Sequence, residues 1–278
     1  MIPYMGGKSN MSEWIGSFIP QEFDTYVEVF GGAFWVYING SIHKKRSLER
    51  IIYNDFNRFM TNLFECCSNP DEFYQRIKDV KVQDPDLFDQ YQKEINSIEC
   101  FESFDLGDYD LGLKYSYIAT QVFSGSKIMT SPFQDFKEQT CKFDNFRDRL
   151  VNYKMKEKLE RITKCENLDF RDVIKKYDSP GTFFYVDPPY WKTEGYYSNK
   201  NFDQEDHEVL INQLKGISGK FALSYYEFDL LNELLPKDQY LWESKNYTKC
   251  SSAQKGSTPQ KGTEVLIMNY EIPQLKLF

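Results

Sequence analysis

The residues best suited to chemistry are Asp187-Pro188-Pro189-Tyr190, set directly after the apolar run Phe183-Phe184-Tyr185-Val186. That pairing reads as a strand ending in a rigid acidic turn, and the carboxyl ends of strands are where open α/β sheets hold ligands. The Asp187 carboxylate accepts one hydrogen bond. The Pro188 carbonyl, fixed by the restricted backbone of two successive prolines, accepts a second, and the Tyr190 ring offers a stacking face. Such a set grips an exocyclic amine on an aromatic base. With both N–H bonds aimed at acceptors, the nitrogen pyramidalises and turns its lone pair toward an electrophile. The expected substrate is an adenine or cytosine amine.

Two upstream segments supply what a nucleoside-bearing cofactor needs. Thr25-Tyr26-Val27-Glu28-Val29-Phe30-Gly31-Gly32 is a strand running into a glycine turn, where absent side chains let a ligand approach the backbone. Ile51-Ile52-Tyr53-Asn54-Asp55 is a short apolar strand ending in an acid, at the distance beyond a glycine turn that suits ribose hydroxyls.

The elements that must position these residues follow from apolar periodicity and capping signals. A glycine turn and helix is expected over 6–18, strands over 25–30 and 50–54, and a helix over 32–40. From Asn57 to Leu150 the pattern turns helical, with helices expected over 58–68, 70–80, 85–98 and 111–121. Strands return over 182–186, 220–224 and 264–269, with helices over 204–214 and 228–235. Within the helical stretch, Ser124-Gly125-Ser126-Lys127 separates two β-prone pieces, 121–123 and 128–130, and reads as a short hairpin.

At 278 residues and 41% hydrophobic content, the chain can bury one substantial core with an inserted subdomain. No run approaches the about 20 apolar residues that span a bilayer, so a soluble, cytoplasmic protein with no membrane partner is expected. Six cysteines without Cys-x-x-Cys spacing, and only His43 and His207 to assist them, predict reduced thiols and no metal site. The net charge of -8 is unevenly distributed. Acids crowd 71–110, whereas Lys137, Lys142, Arg147, Arg149, Lys154, Lys156, Lys158, Arg161 and Lys164 fall in one interval. Lys245, Lys249, Lys255 and Lys261 stud an expected loop over 244–263. Both basic groups are candidates for phosphate contact.

The acidic turn, the glycine turn, the acid at 55 and the amino-terminal Ile2-Pro3-Tyr4-Met5-Gly6-Gly7-Lys8 resemble, in this order, the Dam-like D12 class of DNA adenine methyltransferases of bacteria and phages. Asn167-Leu168-Asp169-Phe170-Arg171-Asp172, Phe221-Ala222-Leu223-Ser224 and Gly262-Thr263-Glu264-Val265-Leu266-Ile267 extend the likeness over nearly the whole chain. The resemblance implies a Rossmann-like α/β fold that binds S-adenosylmethionine, built from residues 1–56 and 164–278 around a mainly helical target-recognition insertion, 57–163. It implies catalysis by Asp187, Pro188, Pro189 and Tyr190. Tyr4 and Lys8 would meet the methionine end of the cofactor, and Phe30, Gly31 and Gly32 would line its crevice. Asp55 would bond the ribose diol, Phe170 would pack on the adenine with Asp169 nearby, and Tyr197 would stand at the reacting face.

Double-stranded DNA is the implied partner, with a companion restriction endonuclease possible. Base readout falls to the hairpin near 121–133, through Ser124, Ser126, Lys127, Thr130, Ser131 and Pro132, and phosphate contact to Lys137 and Arg147. The family's hairpin carries an arginine, which is absent here between Thr120 and Gln134. A bidentate arginine on guanine is the commonest specific contact, so a GATC site is not implied. Cytosine N4, RNA adenine or a catalytically silent binding role stay open as alternatives.

Overall fold

The apolar runs become the middle of a sheet. In the computed structural model, which describes residues 7–98, 104–122, 128–135, 141–191, 202–248 and 261–272, the strands are β1 Thr25–Glu28, β2 Arg50–Asn54, β3 Lys164–Glu166, β4 Thr182–Val186, β5 Lys220–Tyr225, β6 Leu241–Thr248 and β7 Lys261–Met268. Their order is β3-β2-β1-β4-β5-β7-β6. The first five in that order are mutually parallel, and β7 runs antiparallel to both β5 and β6. Every residue of β1 and β4 is buried, as parallel strands covered on both faces require.

Alternation along β4 divides the core in two. Phe183 and Tyr185 join Tyr26, Ile51 and Tyr53 on one face, while Phe184 and Val186 join Val27 and Ile52 on the other. The first face is covered by α1 Ser12–Phe18, α2 Trp35–Asn39, α3 Arg58–Ser68, α4 Pro70–Ile77, α5 Pro85–Asn96, α6 Tyr109–Gln121, α7 Lys142–Val151 and α8 Tyr153–Glu160. The second is covered by α9 Phe170–Tyr177, α10 Gln204–Lys215 and α11 Asp229–Leu234. The Asn57, Asp84 and Asp108 side chains accept backbone N–H groups at the starts of α3, α5 and α6, and Asp203 with Asp206 closes a capping box on α10. Among the described residues no helix is long and apolar enough to cross a membrane.

The described elements of 57–163 are all helical. Their apolar side chains, Leu63, Phe73, Phe88 and Phe146 among them, belong to the same cluster as Tyr26 and Tyr53, so this stretch shares the core of the sheet's first face. Two expectations change. Gln121 ends α6 instead of opening a strand, because the helix capped by Asp108 keeps a buried face as far as Gln121, and residues 128–130 form a turn. The tip, 123–127, lies outside the described residues. The loop expected over 244–263 begins as β6 and ends as β7, paired in register from Leu241 opposite Met268 to Thr248 opposite Lys261. Residues 249–260 lie outside the described residues.

Strand order reverses between β1 and β4, since β1 leads on to β2 on one side and β4 to β5 on the other. A crevice at the carboxyl ends of those two strands is the consequence.

Candidate active site

Three strand ends meet at this reversal and are tied together by hydrogen bonds. The Val29 N–H donates to Tyr185 O at 3.0 Å, and the Gly31 N–H donates to Asn54 O at 2.7 Å. The Asn54 amide adds bonds to Val29 O and Leu168 O, and its Oδ1 accepts the Leu168 N–H. The turn after β1 requires glycine twice. A Cβ at Gly31 would lie 2.4 Å from the Tyr53 ring, and Gly32 has a φ of 46°. Asp55 braces that turn: Oδ2 accepts the Gly32 N–H and Oδ1 the Asn57 N–H, each at 2.7 Å. Burial pushes the Asp55 carboxyl up to about 6, against those two bonds. The residue expected to meet a ribose therefore first holds the glycine turn in shape. A carboxylate oxygen has two lone pairs, so capacity for a hydroxyl remains.

Asp187 leaves β4 into a knot of polar side chains. Lys8 Nζ lies 2.9 Å from Asp187 Oδ1 and 3.3 Å from Glu264 Oε1. The Tyr190 hydroxyl donates to Asp187 Oδ1 at 3.1 Å and to Glu264 Oε1. Burial pushes both carboxyls above their usual range while the Lys8 ammonium pulls them back, and the charge of Asp187 raises Glu264 further. Burial also raises the Tyr190 phenol, with the two carboxylates adding to the effect, so it stays a donor. The Tyr190 ring stacks on Tyr225 at 5.3 Å, meets Tyr226 edge-on at 4.3 Å, and has Lys8 Nζ 4.7 Å from its centroid. Stacking on a substrate base, the role read from the sequence, therefore requires this ring to be uncovered first.

Of the residues expected around a cofactor, Lys8, Phe30, Gly31, Gly32, Asp55, Asp169, Phe170 and Asp187 all line one cleft. Asp169 also caps α9 through the Arg171 N–H, and Phe170 packs against Phe30 and Phe202. Pro189 lines the cleft too, whereas Pro188 is buried and does not. Tyr4 and Tyr197 lie outside the described residues. Sequence reasoning passed over Glu28, Phe56, Asn57 and Phe202, which share the lining. Phe56, adjacent to the singled-out Asp55, is 45% exposed, which is unusual for so large a ring in an aromatic-rich chain. Glu28 Oε1 accepts the Tyr26 hydroxyl at 2.7 Å and the Tyr37 N–H at 2.8 Å, and burial lifts its carboxyl to about 8.

The residues read as facing nucleic acid fare differently. Ser124, Ser126, Lys127 and Lys137 lie outside the described residues. Thr130, Ser131 and Pro132 sit in a loop docked on α5, whose Gln92 amide donates to the carbonyls of Ile128 and Ser131 and whose Asn96 amide donates to that of Met129. Arg147 is engaged within the protein. Its guanidinium donates to the carbonyls of Ile77, Lys78 and Val80 at the end of α4 and pairs with Asp144, so it terminates a helix. Much of the basic interval is engaged the same way: Lys156 with Asp71, Lys158 with Ile38 O, and Arg161 with His43 O and Leu48 O.

Residues 4–249 match the family described as D12 class N6 adenine-specific DNA methyltransferase. The chain is 27% identical over 310 residues to Modification methylase StsI of Streptococcus sanguinis, an alignment covering 99% of this chain and 43% of that protein. It is 24% identical over 243 residues to Modification methylase LlaI of Lactococcus lactis subsp. lactis, covering 80% of this chain and 36% of that protein. The chain thus spans less than half the length of these two relatives.

Proposed function

Because the chain belongs to the D12 class N6 adenine-specific DNA methyltransferase family, we propose that it transfers a methyl group from S-adenosylmethionine to the N6 amine of an adenine in a short duplex DNA site. The observation that carries this reading is Asp187, held at the end of β4 in the wall of the cleft that the glycine turn and Lys8 also line. The cleft suits the donor. The exposed Phe56 ring offers a face that a bound adenine would cover, Asp55 and Asn57 offer polar groups to a ribose, and Lys8 offers an ammonium to an amino-acid carboxylate. When bound, S-adenosylmethionine supplies a methyl group on a sulfonium that departs as a neutral thioether.

Asp187 accepts one N–H of the target amine, and a backbone carbonyl of its turn accepts the other. On taking the methyl the amine becomes cationic with both protons still attached and is then a far stronger acid than its parent, so Asp187 assists loss of one proton without having to be a strong base. Tyr190 stacks on the extruded base once a face of its ring is uncovered, and base–aromatic stacking is worth about 1 to 3 kcal/mol. Base readout is assigned to the segment near 121–133, within a helical recognition region over 57–163. The relatives' names extend the proposal to a modification role, for which a companion restriction endonuclease is the partner proposed here.

The test is direct. Incubation with duplex DNA and a methyl-labelled donor, followed by nucleoside analysis, is expected to place label in N6-methyladenine. Label confined to N4-methylcytosine, label entering RNA but not DNA when RNA is offered alongside, or no label at all, overturns the reading. Phe56→Ala is expected to weaken donor binding about 10-fold, near the low end of stacking energies. An unchanged affinity by calorimetry removes Phe56 from the donor site.

A further inference from the structure

Glu264 reaches this site through topology. β7 runs antiparallel to β5, with Val265 opposite Tyr225, so the early part of β7 lies at the edge where the parallel strands end. Its side chain is 3% exposed. A carboxylate buried so deeply is costly unless its partners are held in place. Those partners, the Tyr190 hydroxyl and the Lys8 ammonium, are the same groups that bind Asp187 Oδ1.

We propose that Glu264 is a positioning residue for the methyl-transfer reaction: it draws the Tyr190 hydroxyl and the Lys8 ammonium partly onto itself and so fixes the Asp187 carboxylate with Oδ1 turned to them and Oδ2 left to receive the amine. The inference rests on the function proposed above. A phenol has one proton, and here two acceptors share it. Without Glu264, more of the demand of both donors falls on Asp187, the group that must accept from the substrate. Within this knot, two carboxylates stand against one ammonium among the described residues. The other titratable groups facing the pair are Tyr185 and Glu28 beside Asp187, and Tyr247, whose hydroxyl meets that of Tyr226, beside Glu264.

Two variants and two readouts test it. Glu264→Ala is expected to lower kcat about 10- to 100-fold, the usual scale for loss of support around a reacting group, with KM for the donor little changed. Glu264→Gln keeps an acceptor for Tyr190 and is expected to recover most of that loss. Because the neighbouring charge is gone, Asp187 should titrate at lower pH in the Gln variant, in the acid limb of the pH–rate profile and, without donor, by carbon NMR of its carboxyl. Should Glu264→Ala not fold, the Gln variant carries the test alone. An unshifted Asp187 titration, or an Ala variant with wild-type kcat, overturns the proposal. If the intact chain methylates no DNA, the functional reading falls by itself, and the NMR titration still decides whether Glu264 governs Asp187.

Discussion

Asp187→Ala is expected to reduce methyl transfer to DNA by about 10³-fold or more, the upper range for losing one preorganised electrostatic contact to a transition state. Donor affinity should stay within a small factor of the parent's. The reason lies in the amine, whose lone pair is delocalised into the purine ring and must be drawn out of it before it can attack. Asp187 is the carboxylate in the cleft wall that meets this need, and it enters on a backbone fixed by two prolines. The fold should survive the substitution, because Lys8 keeps Glu264 as an ionic partner at 3.3 Å and the Tyr190 hydroxyl keeps it as an acceptor. Asp187→Asn keeps a carbonyl acceptor but drops the charge, so its activity should fall between the two. Single-turnover incorporation of labelled methyl groups measures the loss, and calorimetry with the donor alone measures the affinity. Near-parental turnover in the Ala variant would remove Asp187 from the chemistry altogether.

Why Asp187 was readable from sequence, and Glu264 was not, is a matter of locality. The acidic turn, its strand and the glycine turn each sit in one short segment whose pattern has a physical cause. β4 and α3 begin and end where the apolar run and the Asn57 cap place them. β1 stops at Glu28, two residues short of expectation, because the chain must turn to present Phe30 and Gly31. Glu264 joins the site only through the antiparallel pairing of β7, which no local signal announces. β3, with three residues, is too short to show alternation. In α7 and α8 the cations stood out in sequence, while Phe143, Phe146, Leu150 and Leu159 form the stripe that decides the structure. Arg147, which stood out as one of those cations, has its guanidinium on carbonyls at the end of α4, a contact that no local pattern announces. β6 carries polar residues over 244–246, which read as a loop but belong to an edge strand of the sheet.

The second large effect concerns stability and is carried by Glu28, where Glu28→Gln should flatten the dependence of folding on pH. In the folded chain burial lifts this carboxyl to about 8, whereas its ordinary value is 4.5. Between those values the folded state holds a proton that the unfolded state has released, so stability falls as pH rises. The favourable contribution is fully present below about 4.5 and is lost by about pH 8. At about 1.4 kcal/mol per unit of displacement, the parent should lose roughly 5 kcal/mol in all as pH rises through that window. Asp55, lifted to about 6, and the raised Asp187–Glu264 pair act in the same sense, so some slope will persist in the variant. The difference between the two proteins isolates Glu28. Gln retains a carbonyl to accept the Tyr26 hydroxyl and the Tyr37 N–H, which keeps the local geometry intact. Denaturant unfolding at pH 5 and pH 8 should show the Gln variant losing far less stability than the parent and exceeding it at the higher pH. Equal losses would mean that the proton is held elsewhere. Glu28 also lines the cleft, so near neutrality it presents a protonated carboxyl there, a hydrogen-bond donor that adds no negative charge beside Asp187.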